Sequence, residues 1–322
     1  MDNVLLLDTS VASLNKGDDI IMECVRKELG FILDGNFEVN LPTHVSAFHW
    51  YQIYRGLARI NYYSNCKYKF VGGTNLLVKN MATYYPQWNI NLFNSKAIRE
   101  CILVGVGAGV GEGSNWYTKK LYNTVLNHEY CHSTRDERTK LYLESMGLKA
   151  INTGCVTMWM LTPEFCKTIP TKKASRVVFT LTASKIKDER DQYIIDLLQE
   201  EYSEVYYWVQ GIEDYDYLRR FENVDNIKIV PPTKDAYHEL LCMDDLDYVG
   251  TRLHAGVYAM RHRKRAIIIV IDERAREINK SNNLNCLEKD NIKELQMMIN
   301  NTFETKIIMP FDRIEQWKQQ FK

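Results

Sequence analysis

DYVGTRLHAGVYAMRHRKRAIIIVIDERA, residues 247–275, reads as a strand, a helix and a second strand in immediate succession. Residues 247–250 form the first strand, and 266–271 is an unbroken apolar run that fits a strand buried on both faces of a parallel sheet. Between them Leu253, Val257 and Met260 recur at helical spacing and face the sheet. Thr251 is placed as the N-cap, so Arg252 takes the first helical position and His254 the third. A cation at the positive end of a helix dipole costs about 0.3–1 kcal/mol. Two readings of that cost stand. Either an anion is expected at the site, or Arg252 is solvated or paired with a nearby acid and His254 is a packed, hydrogen-bonded helix histidine.

Working outward, the same alternation runs through the second half. Strands at 177–181, 205–209 and 227–230 alternate with helices at 188–201, 215–221 and 234–242. The first half repeats it with strands at 4–7, 67–71, 102–106 and 129–133, which predicts an α/β chain of Rossmann-like units. Thr134, Arg135, Asp136 and Glu137 read as a capping box that opens a helix ending before Gly147, with Arg135 at the first helical position. Each half therefore presents a guanidinium at a helix start, a pattern suited to clamping one small polyanion. The alternative for Arg135 is an ion pair within its own helix. At 322 residues the chain is long enough for two α/β domains. The expected division is 1–170, 171–305 and a final helix at 306–322, with the polar stretch 170–174 as the linker. Phe311, Ile314, Trp317 and Phe321 share one face of that last helix, which must dock somewhere.

Basic and acidic residues balance at 41 each, so there is no global attraction to nucleic acid or an anionic membrane. The one cationic run, 261–265, is expected to be a solvated helix end. Eight cysteines without C-x-x-C spacing favour a reducing compartment without structural zinc. Without a signal-peptide pattern or a membrane-length apolar run, the expectation is a soluble cytoplasmic protein with no integral membrane segment. The loop Asn15-Lys16-Gly17-Asp18 can bring backbone amides and a lysine to an anion, or Gly17 simply makes a turn; Asp18 is placed as the N-cap of the helix that follows. Strand 67–71 delivers Gly72, Gly73, Thr74 and Asn75 to its carboxyl end, where ligands of open α/β sheets collect. GVGAGVGEG, residues 105–113, never places G-x-G-x-x-G in register and reads as a loop after a strand, not as an NAD site. His44, Trp50, Tyr51 and Tyr54 lie in an aromatic stretch that suits either packing or sugar stacking.

These segments carry a resemblance. GTRLHAGVYAMRHRKRAIIIVIDERA resembles the C-terminal signature of the polysaccharide pyruvyl transferase family, and STRDERTKLYLESMGLKAINTGCVTMWML, residues 133–161, resembles its middle signature. LNKGDDII and FVGGTNLL are similar to its Asn-x-Gly-Asp loop and its glycine-rich turn. The resemblance implies two Rossmann-like domains with a cleft between them, GT-B-like, with the C-terminal helix crossing back to the first domain. It also implies transfer of a pyruvyl group from phosphoenolpyruvate to two sugar hydroxyls, forming a ketal during surface-polysaccharide biosynthesis. The acceptor would be a sugar, nucleotide-linked or lipid-linked.

That chemistry needs a general acid to protonate the donor's methylene carbon, and His254 is the candidate. Arg135 is the second candidate catalytic group, stabilising departing phosphate, and Arg252 holds the donor's anionic groups. Arg274 falls where the family places a further basic residue, although a lysine is familiar there. Gly17, Asp18, Gly72, Gly73 and Thr74 are expected to bind substrate. His132 is expected to assist as acid or base, or else to be an exposed strand-end histidine. No cofactor and no metal is expected, since the seven histidines show no ligand spacing beyond His128 and His132. Two alternatives remain. One is a GT-B nucleotide-sugar glycosyltransferase, for which Glu273 is the suggestive residue; the other is a non-catalytic carbohydrate-binding assembly protein.

Overall fold

The computed structural model describes residues 1–83, 87–109 and 113–322, with the side chains of Trp50, Ile53, Tyr54 and Arg274 outside that description. The chain divides into two compact units. The first comprises Met1–Ser13, Ile21–Trp159 and Pro310–Lys322; the second comprises Leu14–Ile20 and Met160–Met309. The second unit thus begins ahead of the polar stretch 170–174, and it takes in a short segment from near the start of the chain.

In the first unit six strands form one sheet: β1 (Asn3–Asp8), β2 (Phe37–Pro42), β3 (Tyr68–Leu77), β4 (Cys101–Ala108), β5 (His132–Thr134) and β6 (Ala150–Asn152). Their order is β2-β1-β3-β4-β5-β6, and every pairing is parallel. Parallel strands need crossover helices that cover both faces, which is why β1 and β4 are apolar almost throughout. All eight residues of β4 are buried. The glycine-rich stretch is a continuation of that strand through Gly105 and Gly107, where a loop was expected; residues 110–112 lie outside the described residues. The last helix, Phe311–Gln319, packs on this unit. Its Trp317 is 1% exposed and donates from Nε1 to the Cys131 carbonyl at 2.8 Å, and Phe321 stacks on Tyr130 with centroids 5.3 Å apart.

The second unit repeats the architecture with β7 (Arg176–Thr180), β8 (Glu204–Trp208), β9 (Lys228–Val230), β10 (Leu246–Gly250), β11 (Ala266–Val270) and β12 (Cys286–Glu288). The order is β12-β11-β10-β7-β8-β9, again all parallel. Counted from β7, this is the 3-2-1-4-5-6 order of dinucleotide-binding sheets, and it reverses between β7 and β10. The first sheet reverses between β1 and β3. In each unit ligands are expected at the carboxyl ends beside that reversal.

The run 261–265 is not the solvated patch its composition suggested. Arg265 is 1% exposed, with Nη1 on Asp247 at 2.7 Å and Nη2 on the carbonyls of Met298, Ile299 and Asn301. Lys264 is buried too and donates to the Met243 carbonyl at 2.5 Å. The reason is positional: Arg265 is the last residue before β11, so it enters the core with its counter-ion on the neighbouring β10. No helix among the described residues is long and apolar enough to cross a membrane.

Candidate functional site

In the first unit Arg135 stands at the carboxyl end of β5, within reach of Asn75 on β3. Arg135 follows β5 directly, and its amide donates to the Val106 carbonyl at 3.0 Å, which extends the pairing with β4 by one residue. The side chain is 2% exposed and crosses β4, with Nη2 2.5 Å from Oδ1 of Asn75 on β3 and 3.4 Å from Oδ2 of Asp136. It can cross there because position 107 is glycine. A Cβ at Gly107 would stand 2.6 Å from Arg135 Nη2 and 2.7 Å from Asn75 Oδ1. The helix after Arg135 begins later than the capping box implied. Asp136 is the N-cap of Glu137–Glu144, with Oδ1 accepting from both the amide and hydroxyl of Thr139 at 2.7 Å. Arg135 is thereby released from the helix and belongs to the strand end.

Gly72 and Gly73 are buried within β3, not displayed on a turn. A Cβ on Gly72 would collide with Met22 of the helix Gly17–Glu28, and one on Gly73 would lie 2.9 Å from the Gly105 carbonyl. Their absent side chains permit close helix–strand and strand–strand packing. Thr74 has φ +125° at an irregularity in the β3–β4 register, a costly conformation for a β-branched residue and one that clusters at ligand sites. His132 is neither an exposed strand-end residue nor free to act on a substrate. It is fully buried; Nδ1 accepts from the Leu103 amide at 3.2 Å, and Nε2 donates to the Asn127 carbonyl at 2.9 Å. Burial pushes its pKa down to about 4, keeping one neutral tautomer.

In the second unit Arg252 stands where β10 leads into the helix Leu253–Arg261, at the sheet's reversal. It is the N-cap of that helix, one step earlier than expected, and His254 is the second helical residue and buried. The Arg252 guanidinium makes a short ion pair with Asp214, a carboxylate with no solvent exposure that also accepts from the amides of Gly211 at 2.7 Å and Ala183 at 3.2 Å. A glycine again makes room: a Cβ on Gly211 would stand 2.5 Å from Arg252 Nη2. The pairing of Arg252 with a nearby acid, the second of the two readings, is the one observed. Asp214 was missed in the sequence because 38 residues separate it from Arg252. The available signal was an acid opening a helix after a parallel strand.

The Asn15–Asp18 loop joins the same network. Lys16 donates its amide to the Gln210 carbonyl at 2.9 Å and Ile212 donates to Leu14 at 3.0 Å. Gln210 Nε2 and the Gly17 amide both donate to Asn15 Oδ1, at 2.7 and 3.0 Å. Gly17, not Asp18, opens the helix; Asp18 is its second residue and is buried. Gly17 and Arg252 are thus tied within one unit through Gln210, Gly211 and Asp214. Arg274 is the second residue of the helix Glu273–Asn282, and its side chain lies outside the described residues.

A family model described as polysaccharide pyruvyl transferase matches residues 15–273. The chain belongs to the polysaccharide pyruvyl transferase family. Among curated proteins no match was found. Among solved structures, the Methanocaldococcus jannaschii UDP-GlcNAc 2-epimerase in complex with UDP-GlcNAc and UDP is similar at 10% identity, with a TM-score of 0.51, covering 100% of this chain and 99% of that one. The S. aureus MnaA–UDP structure is similar at 11% identity, with a TM-score of 0.54, covering 100% and 96%. At such identity the likeness is one of fold, and it places this pyruvyl transferase family member with the GT-B-like proteins. The matched span contains Arg135, Arg252 and His254. Among the described residues no group of three or more His, Cys, Asp or Glu could hold a metal ion.

Proposed function

We propose that this protein transfers a pyruvyl group from phosphoenolpyruvate to two hydroxyls of a saccharide acceptor, releasing phosphate and leaving a pyruvate ketal, in surface-polysaccharide biosynthesis. The family match over residues 15–273 carries this reading. In it, His254 delivers a proton to the methylene carbon of the donor, and the central carbon becomes the electrophile. One acceptor hydroxyl adds to that carbon and returns a proton to His254; the second displaces phosphate, which carries away the proton of that hydroxyl. Arg135 in the first unit and Arg252 in the second are each proposed as a partner for an anionic group of the donor, since a fixed guanidinium acts on charge that grows as phosphate departs. Asn75 and Gly107 support Arg135, while Asp214 and Gly211 orient Arg252.

Isothermal titration with phosphoenolpyruvate tests the reading on the wild type, Arg135→Ala and the charge-conserving Arg135→Lys. Saturable binding to the wild type, weakened at least about tenfold in Arg135→Ala, is expected, since one charge-assisted contact is worth about 1.5–3 kcal/mol. Arg135→Lys checks that the folded protein survives substitution. A parallel titration with uridine diphosphate addresses the nucleotide-sugar glycosyltransferase alternative, which the 3-2-1-4-5-6 order of the second sheet favours. Tight diphosphate binding without any phosphoenolpyruvate binding would overturn pyruvyl transfer.

A further inference from the structure

The second unit holds a cavity of about 360 Å3 at the carboxyl ends of β7, β11 and β12. In the sheet β11 and β7 flank β10, with β12 beyond β11, so the lining strands stand on either side of the strand that leads to Arg252. Thr182 at its rim shares a hydrogen bond of 2.9 Å with Thr251, the residue before Arg252. Its size is near the lower end of the roughly 300–1,000 Å3 of small-molecule pockets, suited to one ring and not to an extended chain.

The charges at this cavity are unlike those of an anion site. Arg190 pairs with Asp188 at 2.8 Å and Asp290 at 2.5 Å. Lys289 pairs with Asp188 at 3.0 Å and Asp191 at 2.6 Å. Arg276 pairs with Glu273 and Glu288, both at 3.0 Å. Each of the three cations is held by two carboxylates, and Asp188, Glu288 and Asp290 line the cavity beside them, so the lining carries no net charge and a phosphate or carboxylate entering here finds every cation already paired. A neutral hydroxyl meets the opposite situation. It can donate to a carboxylate oxygen and accept from a guanidinium N–H at the same time, and hydrogen bonds to charged groups are the stronger kind. Adjacent acid–base pairs therefore match adjacent hydroxyls.

We propose that this cavity is a diol-binding subsite that takes the vicinal hydroxyls of a neutral sugar ring. Only the naming of that ring as the acceptor rests on the pyruvyl-transfer reading. The same diol chemistry belongs to a pyranose acceptor and to the ribose of a nucleotide carrier, and the test separates them.

Saturation-transfer NMR on the full chain would use the methyl glycosides of galactose, glucose, mannose and N-acetylglucosamine in one arm and uridine in the other. Wild type is compared with Arg276→Ala and Glu288→Gln, both at exposed side chains. Ring-proton saturation from at least one glycoside or from uridine is expected in the wild type, with affinity weakened at least about tenfold in both variants. Phosphoenolpyruvate titrations of the variants are expected to match the wild type. Glycoside saturation that uridine does not displace assigns the acceptor; ribose saturation alone assigns the carrier nucleoside; either supports the subsite. Absence of saturation from every probe, or equal saturation in wild type and variants, would overturn it. If phosphoenolpyruvate fails to bind while sugar binding is lost in Arg276→Ala, pyruvyl transfer falls and the diol subsite stands.

Discussion

Arg135 and Arg252 each stand at the carboxyl end of a parallel strand and each is laid over a glycine that leaves it room, Arg252 beside its sheet's reversal and Arg135 two strands away from the reversal in its own. Their supports differ. Asn75, a neutral amide, holds Arg135 at 2.5 Å, and the carboxylate of Asp136 stands farther off at 3.4 Å. Arg252 is gripped by Asp214, whose carboxylate is wholly buried and anchored by two backbone amides. The same contrast holds deeper inside, where the first unit buries neutral His132 and the second buries the ion pair of Arg265 with Asp247. An arginine beside an amide keeps more of its field for a ligand than one beside a carboxylate. On the proposed function, this contrast in supports predicts that Arg135 is the stronger anion-binding group and that Arg252 is a positioned hydrogen-bond donor in the unit that holds His254.

The largest effect is expected at the buried carboxylate. Asp214→Ala strands a guanidinium and two amides, and removing one partner of a buried pair costs about 3–5 kcal/mol. Urea unfolding should show it as a lowered midpoint. Asn75→Ala, which removes a neutral partner, should cost far less; equal losses would erase the contrast.

Acid tests the neutral interior of the first unit. The folded protein holds His132 near pKa 4 because burial opposes its charge, against 6.5 for an unhindered imidazole. Its contribution is fully present above about pH 6.5, where both folded and unfolded forms are neutral, and is lost as pH falls from there to about 4, where the unfolded chain takes up the proton first. The loss amounts to about 3 kcal/mol. His132→Asn should flatten that part of the urea midpoint against pH, and a variant with an unchanged slope would mean that His132 is not held neutral.

Much of this was legible in the chain. Unbroken apolar runs such as 266–271 and the regular alternation of strand and helix announced parallel sheets, because crossover helices must bury both faces. What escaped was everything set by partners distant in sequence. Arg265 looked like part of a solvated patch because five consecutive basic or histidine residues reveal nothing of Asp247 on the next strand. Gly72 and Gly73 looked like a ligand turn because a missing side chain reads the same whether a substrate or Met22 needs the space. Both helix starts were shifted by one or two residues, since Thr134 and Thr251 are good caps locally while Asp136 and the Arg252 backbone fit the folded strand ends.

The smallest and most discriminating change is Asn75→Asp, which gives Arg135 the kind of partner Arg252 has. Shape is conserved, and the new carboxylate would lie within hydrogen-bonding distance of Nη2. Stability should change by less than about 1 kcal/mol, because the attraction gained is offset by the desolvation of a second charge. Phosphoenolpyruvate affinity should nevertheless fall by about tenfold or more, the added negative charge now competing with the donor for the same guanidinium. Titration of this variant beside Asp214→Asn, which makes the reciprocal change around Arg252, separates the two roles. Weakened binding in Asn75→Asp together with preserved or tightened binding in Asp214→Asn is the outcome expected if carboxylate proximity tunes each arginine. Donor affinity indifferent to Asn75→Asp would mean that Arg135 serves the fold and not the substrate.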